Sequence, residues 1–322
     1  LTSKGYTHTG WCNNDKTLAV NESYAIEKNE TLNAIWEANK YTIKYNANGG
    51  TGTVSQQEAT YDTNITIRKN SYTKTGYTFT GWNTKADGTG TAYTENLSTK
   101  NLATSGTITL YAQWKANTYT VKFDNNTGTG TLASVTCTYD VLSTLPASPF
   151  TKENYTFTGW NTKQDGSGTS YTNNATIKNL VPSGEVTLYA QWKANTYTIK
   201  YNSNTGTGTM SNQTTSYDKE TTLKTNTFTK TGYTFIGWNT ASNGTGTKYT
   251  EGQIVKNLVS SGTITLYAQW EANKYTVKFD NNNGTGTMSN QTLTYNKSER
   301  LIENTFTKEG YTFIEWNTKQ DG

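Results

Sequence analysis

The chain has little of what most protein chemistry uses. One His and two Cys in 322 residues make a metal cluster or a disulfide framework unexpected, and no cofactor is expected. Two Met leave no Met-rich groove. Arg68 and Arg300 are the only arginines, and net charge is just +4, so nucleic acid has no obvious reader here. No run approaches the roughly 18 apolar residues of a membrane span, and no charged-then-apolar leader opens the chain. Residue 1 is Leu, and the sequence reads as an excerpt or processed piece of something longer. Scarce cysteine fits the cytosol and a cysteine-poor bacterial surface equally well. With 32% apolar residues and a mean hydropathy of −0.78, a single large core is also excluded.

What is abundant is threonine, close to a fifth of the chain, together with 23 Tyr and 9 Trp. Both favour strands. The tryptophans expose a repeat. Trp82, Trp160, Trp238 and Trp316 are each 78 residues apart, as are Trp36, Trp114, Trp192 and Trp270. Trp11 belongs to a shortened first copy, 25 residues before Trp36 where Trp82 and Trp114 are 32 apart. The copies are a partial one at 1–38, complete ones at 39–116, 117–194 and 195–272, and a partial one at 273–322.

Three segments mark each copy. Tyr119-Thr120-Val121-Lys122-Phe123 and its counterparts alternate with period two, a half-buried strand with Lys44, Lys122, Lys200 and Lys278 outward. Gly76-Tyr77-Thr78-Phe79-Thr80-Gly81-Trp82 is another, in which the Gly before Trp marks a bulge or a close backbone approach; Asn154 and Glu315 replace single glycines in other copies. Ile108 to Trp114 is a third, with Leu110, Ala112 and Trp114 on one face. Asp87-Gly88, Asp165-Gly166 and Asn243-Gly244 between them signal hairpins. The stretch from Tyr61 to Tyr72 is the place for a short helix, against its Thr-rich sequence.

A unit of this size buries only about 60% of its unfolded surface. Its core must therefore come from rings, each burying roughly 150–250 Å² at about 25 cal/mol per Å². The expected core is Trp82, Trp114, Trp160, Trp192, Trp238, Trp270, Tyr77, Phe79, Phe157, Phe235, Leu110, Leu188 and Leu266. Copies meet at Lys115-Ala116-Asn117, Lys193-Ala194-Asn195 and Glu271-Ala272-Asn273, joints too short to be floppy, which predicts an extended rod.

The pair of signatures, GYTFxGWN and TLYAQW, at fixed spacing in the three complete copies and matched in part by the end copies, resembles the Listeria-Bacteroides repeat, also called the InlB B-repeat family, of bacterial surface proteins. The resemblance implies a tandem array of small β-grasp-like domains, α+β but strongly β-rich. It also implies extracellular exposure and a stalk or adhesive role, and it carries over no catalytic residue. Many relatives have Pro before the GY segment where this chain has Ser71, Pro149, Thr227 and Thr305.

Candidate chemistry is outweighed by structure at each position. His8 stands where other copies have Phe79, Phe157, Phe235 and Phe313, a ring for a ring. Cys12 and Cys137 occupy non-equivalent sites, so no disulfide is expected. The Asn/Gly/Thr runs, such as Asp124 to Gly130, lack the closing Glu of an EF-hand and the Lys-Ser/Thr of a phosphate loop, which leaves turn chemistry. Asn-x-Ser/Thr triplets follow from composition. Tyr and Trp can stack on sugars, and Tyr111, Tyr189 and Tyr267 are the surface candidates for contact. The outward Lys row guards against edge pairing, with acidic cell-wall polymer as the alternative partner. The sequence thus points to a non-enzymatic stalk or spacer. The alternative is a multivalent array for glycan or host surface protein. A further one is end-to-end self-association, because the two partial copies are complementary halves.

Overall fold

A computed structural model describes residues 1–320, and those residues contain strands and turns but no helix. The last two positions of the copy beginning at 273 lie outside the described residues. The chain divides into two compact units, the first Leu1–Phe150 with Thr158–Gln191, the second Thr151–Phe157 with Trp192 onward.

The copy at 39–116 shows how the repeat folds. Its opening strand, Lys40–Asn46, buries Tyr41, Ile43 and Tyr45 and exposes Lys40 and Lys44, as period-two alternation requires. Gln57–Thr60 pairs with it at one edge of a five-stranded sheet. On its other side lies the closing strand, Gly106–Ala116, then the signature strand, Tyr77–Asn83, then Ala92–Tyr93 at the far edge. Opening and closing strands are parallel, Gly106 facing Tyr41 and Leu110 facing Tyr45, whereas the other neighbours are antiparallel. A parallel pair needs a long crossover, and the crossover is the remainder of the copy. The same sheet order recurs in the next two copies.

The expected helix after Tyr61 is absent, and with it the α+β, β-grasp-like label: the described fold is all strand. Ile65–Thr66 instead pairs antiparallel with Ser98–Thr99. The pairing continues to Ile67, whose N–H donates to Leu97 O and whose carbonyl accepts from Asn96 N, both at 2.9 Å. The physical reason is local: Thr63, Asn64 and Thr66 are poor helix formers. Ile65 and Ile67 meanwhile alternate with exposed Thr66, so only an extended chain sends Ile67 and Tyr72 into the core.

That core centres on Trp82. It is fully buried, with Tyr45, Phe79 and Tyr72 presenting ring edges at 4.8, 5.1 and 6.0 Å and its indole N–H donating to Arg68 O at 3.1 Å. Leu110 and Ala112 of the closing strand are completely buried against it. At the anticipated bulge, Gln113 faces Gly81 and Trp114 faces Phe79, which leaves Thr80 as the extra residue. Gly81 sits at φ +150°, and a Cβ there would lie 3.1 Å from Tyr93 O. Bulge and close approach therefore coincide.

The Asn-rich runs are turns that also stitch. Asn48, at φ +48°, donates from Nδ2 to Ala86 O at 2.8 Å and Ala112 O at 2.9 Å, tying its loop to the hairpin and the closing strand. Asn83, almost fully buried, satisfies the hairpin by donating to Gly88 O and accepting from the Lys85 and Gly90 N–H groups. Within the partial first copy, His8 packs edge-on against Trp11 and Trp36 at 4.8 and 5.3 Å, filling the Phe position. Cys12 and Cys137 are both free thiols.

Candidate functional site

Among the described residues no group of three or more His, Cys, Asp or Glu is placed to hold a metal. What recurs with chemistry in it is the joint between copies. The closing strand Gly106–Ala116 is followed by Thr118–Asp124, the opening strand of the next copy, with Asn117 alone between them. One residue cannot form a loop, so its bonds decide the joint. Asn117 N–H donates to Gly76 O and its carbonyl accepts from Tyr139 N, both at 2.9 Å. Its Oδ1 accepts from Thr78 Oγ1 at 2.6 Å and its Nδ2 donates to Pro182 O at 3.2 Å.

Around this Asn lies a second ring of contacts. Tyr77 and Tyr139 meet edge to face at 5.9 Å, and Tyr77 OH donates to Asp140 Oδ2 at 2.7 Å. Asp140, at φ +61°, is clasped by Asn179, whose Nδ2 donates to Oδ1 at 2.8 Å and whose Oδ1 accepts from the Asp140 N–H at 2.6 Å. Lys178 stands 3.2 Å from the same carboxylate. Asn179 first, then Tyr77 and Lys178, hold the Asp140 carboxyl down to about 2, while the bond to Asp140 pushes the Tyr77 hydroxyl up. Lys74 Nζ lies 4.2 Å over the Tyr77 ring.

The same set returns at the other joints. At Asn39, Tyr6 OH donates to Asp62 at 2.6 Å and Asn101 clasps that carboxylate, held down to about 2 by Tyr6 first and then Asn101. At Asn195, Tyr155 OH donates to Asp218 at 2.7 Å and Asn257 lowers that carboxyl. At Asn273 the backbone bonds to Gly232 O and from Tyr295 N persist, but Asn296 replaces the aspartate.

Gly76 is at φ +78° with the Tyr139 ring 2.2 Å from where a Cβ would lie, and Gly5 and Gly232 repeat this. Asn154 takes the position at φ +63°, as Asn can in the left-handed region. The Tyr155–Tyr217 pair beside it is 6.2 Å apart, where the pairs beside glycine are 5.6, 5.9 and 5.7 Å.

The structure sorts the expected residues into three groups. Trp82, Trp160, Trp238, Leu110, Leu188 and Leu266 are fully buried. Trp114, Trp192, Trp270, Phe79, Phe157 and Phe235 form a half-buried second layer, with Phe79 5.8 Å from Trp114, Phe157 5.7 Å from Trp192 and Phe235 5.8 Å from Trp270. Tyr77 belongs to the joint rather than the core. Tyr111, Tyr189 and Tyr267 are half-buried on the closing strands, and Tyr111 is flanked by Asn83 and Asn46. Sequence reasoning missed the joint's polar residues. Their signal was present as the in-phase series Asp62, Asp140, Asp218 and Asn101, Asn179, Asn257, each at the period of the Trp residues.

Small all-strand modules joined through a one-residue link define a tandem-repeat protein. The profile of the Listeria-Bacteroides repeat domain matches residues 41–113, 119–191, 197–269 and 275–322, and the chain belongs to that family. It is 34% identical over 277 residues to a protein of Evansella cellulosilytica whose name suggests a membrane protein, covering 84% of this chain and 39% of the relative. It is 38% identical over 172 residues to Internalin H of Listeria monocytogenes, covering 52% of this chain and 27% of the relative. The chain therefore spans well under half the length of these curated relatives. No helix among the described residues is long and apolar enough to cross a membrane.

Proposed function

We propose that the chain is a non-enzymatic spacer region of an extracellular bacterial surface protein, in which the joint fixes the attitude of one repeat to the next. The observation that carries this is the recurrence of one hydrogen-bonded joint around Asn39, Asn117 and Asn195, with its Tyr–Asp contact each time. A flexible tether would need none of these bonds, because a solvated linker satisfies its backbone with water. The names of the relatives, a membrane protein and an internalin, support a surface setting.

Nitroxide labels at the exposed positions Lys16 and Lys85, either side of the Asn39 joint, test the reading by electron–electron distance measurement. Cys12→Asn and Cys137→Ala, which copy the residues of other repeats, remove the native thiols. A narrow distance distribution that broadens in Asn39→Gly is the expected outcome. A distribution as wide in the parent as in the variant rejects the spacer. Adhesion along the array is separated by titrating cells or glycan arrays against chains of one and three copies, since avidity predicts a steep gain with copy number.

A further inference from the structure

The repeat is regular in its apolar residues and irregular in charge. Copy 39–116 carries eight Lys/Arg against four Asp/Glu, copy 117–194 five against five, and copy 195–272 six against four. The excess is therefore greatest in the first complete copy. It also holds a cleft of about 510 Å³ between the loop after the opening strand and the segment that follows Ile65–Thr66, lined by Ser55, Gln57, Arg68, Lys69, Ser71 and Asn96 among others.

Both cations there are exposed and neither forms an ion pair among the described residues. Arg68 spends one long contact, 3.4 Å, on Gln56 O. The nearby acids are turned to other duties, Glu95 accepting from Asn70 N at 2.9 Å and Glu58 from Thr42 Oγ1 at 2.9 Å. Other copies do not reproduce this arrangement. Arg68 and Lys69 correspond to Pro146 and Ala147 in one, and to Lys224 and Thr225 in the next. Lys224 folds back onto its own cleft lip, donating to Ser211 O at 2.9 Å, Ser211 Oγ at 2.6 Å and Asn212 O at 3.3 Å. Its ammonium donors are thus engaged by neighbouring oxygens, whereas the Arg68 guanidinium makes only its single long contact to Gln56 O.

We propose that the Arg68–Lys69 cleft binds a polyhydroxylated polyanion. The anionic group meets the guanidinium, whose planar fork suits carboxylate or phosphate, and Lys69. The sugar or polyol hydroxyls meet Gln57, Ser55 and Asn96. Such a site gives one copy of an otherwise regular series a specific address, and it stands independently of the spacer reading.

The test is affinity electrophoresis and calorimetry of the full chain at physiological salt with poly(glycerol phosphate), polygalacturonate and neutral dextran. Binding of either polyanion, with dextran inert, is expected, and the arm that binds tells phosphodiester from carboxylate. Arg68→Gln with Lys69→Gln should weaken it about tenfold or more, the loss of charge-assisted hydrogen bonds, whereas Lys224→Gln should leave it unchanged. Arg68 and Lys69 are exposed and Lys224 is half-buried, and an unchanged melting curve of each variant verifies that the fold is kept. Failure of both polyanions to bind overturns the proposal. So does undiminished binding by the double variant, or an equal loss in Lys224→Gln, which would mark diffuse charge attraction.

Discussion

Complete and partial copies differ in one way that explains the repeat. In the three complete copies the opening-strand tyrosines Tyr41, Tyr119 and Tyr197 are each 1% exposed, and in the copy from 273 their counterpart Tyr275 is 51% exposed. Trp316 still has Phe279, Phe313 and Phe306 around it at 4.6, 4.9 and 6.0 Å, as Trp82 has its own rings. The aromatic cluster thus assembles from the first half of a copy. Exclusion of water requires the closing strand, which lies parallel to the opening strand and adds Leu110 and Ala112 to the core. Ring contact and ring burial are separable here, and burial is the larger source of stability.

The comparison breaks most visibly at the indole. Trp82→Ala should cost about 3–5 kcal/mol, a large part of the stability of a module this small. Amide exchange protection should then collapse across residues 39–116, while Trp316→Ala should change protection in its own copy far less. Equal losses at the two positions would mean that the closing strand does not set burial.

Next in size is the bulge glycine. Gly159 is at φ +144°, and a Cβ would stand 2.6 Å from Tyr171 O, so Gly159→Ala combines backbone strain with a clash against main chain. About 1–3 kcal/mol is expected by denaturant titration. The partial copy carries Glu315 at this position, outside any strand, and Glu315→Gly should be close to neutral. Smaller again is Asn48→Ala, which removes two bonds to carbonyls and a residue suited to positive φ. It should lose about 1–2 kcal/mol in the same measurement.

The parts legible in the sequence are those with a short period or a long one. Alternation at Tyr119 to Phe123 and the spacing of the Trp residues fixed strands, copies and the buried face, because burial repeats wherever the backbone repeats. The strand pairing was not legible: nothing local in Gly106–Ala116 says that its partner is the parallel strand Lys40–Asn46, some sixty residues earlier. The helix expectation at Tyr61–Tyr72 failed because a two-residue ribbon is too brief to show a period. The joint was half legible. Its shortness could be read at Lys115-Ala116-Asn117, but Asp140 and Asn179 are 39 residues apart and meet only after the sheet has formed.

The gentlest comparison is between joints with an aspartate and the one with Asn296, and pH tells them apart. The Asp62 and Asp140 carboxyls are lowered from 3.8 to about 2, so their contribution is complete above pH 3.8 and is lost as pH falls through about 2. The Tyr6 and Tyr77 hydroxyls are raised from 10.0, so their hydrogen bonds to these carboxylates persist below pH 10 and fail on the alkaline side. Carboxyl carbon shifts of Asp62 and Asp140 should therefore titrate together near pH 2, and distances across their joints should broaden there. The Asn273 joint keeps its backbone bonds and has an amide where the carboxylate would be, so it should show no acid transition. Asp140→Asn should give the second joint the same insensitivity. An acid transition that survives in Asp140→Asn would place the titrating group elsewhere and remove the Tyr–Asp pair from the account of how the repeats are held.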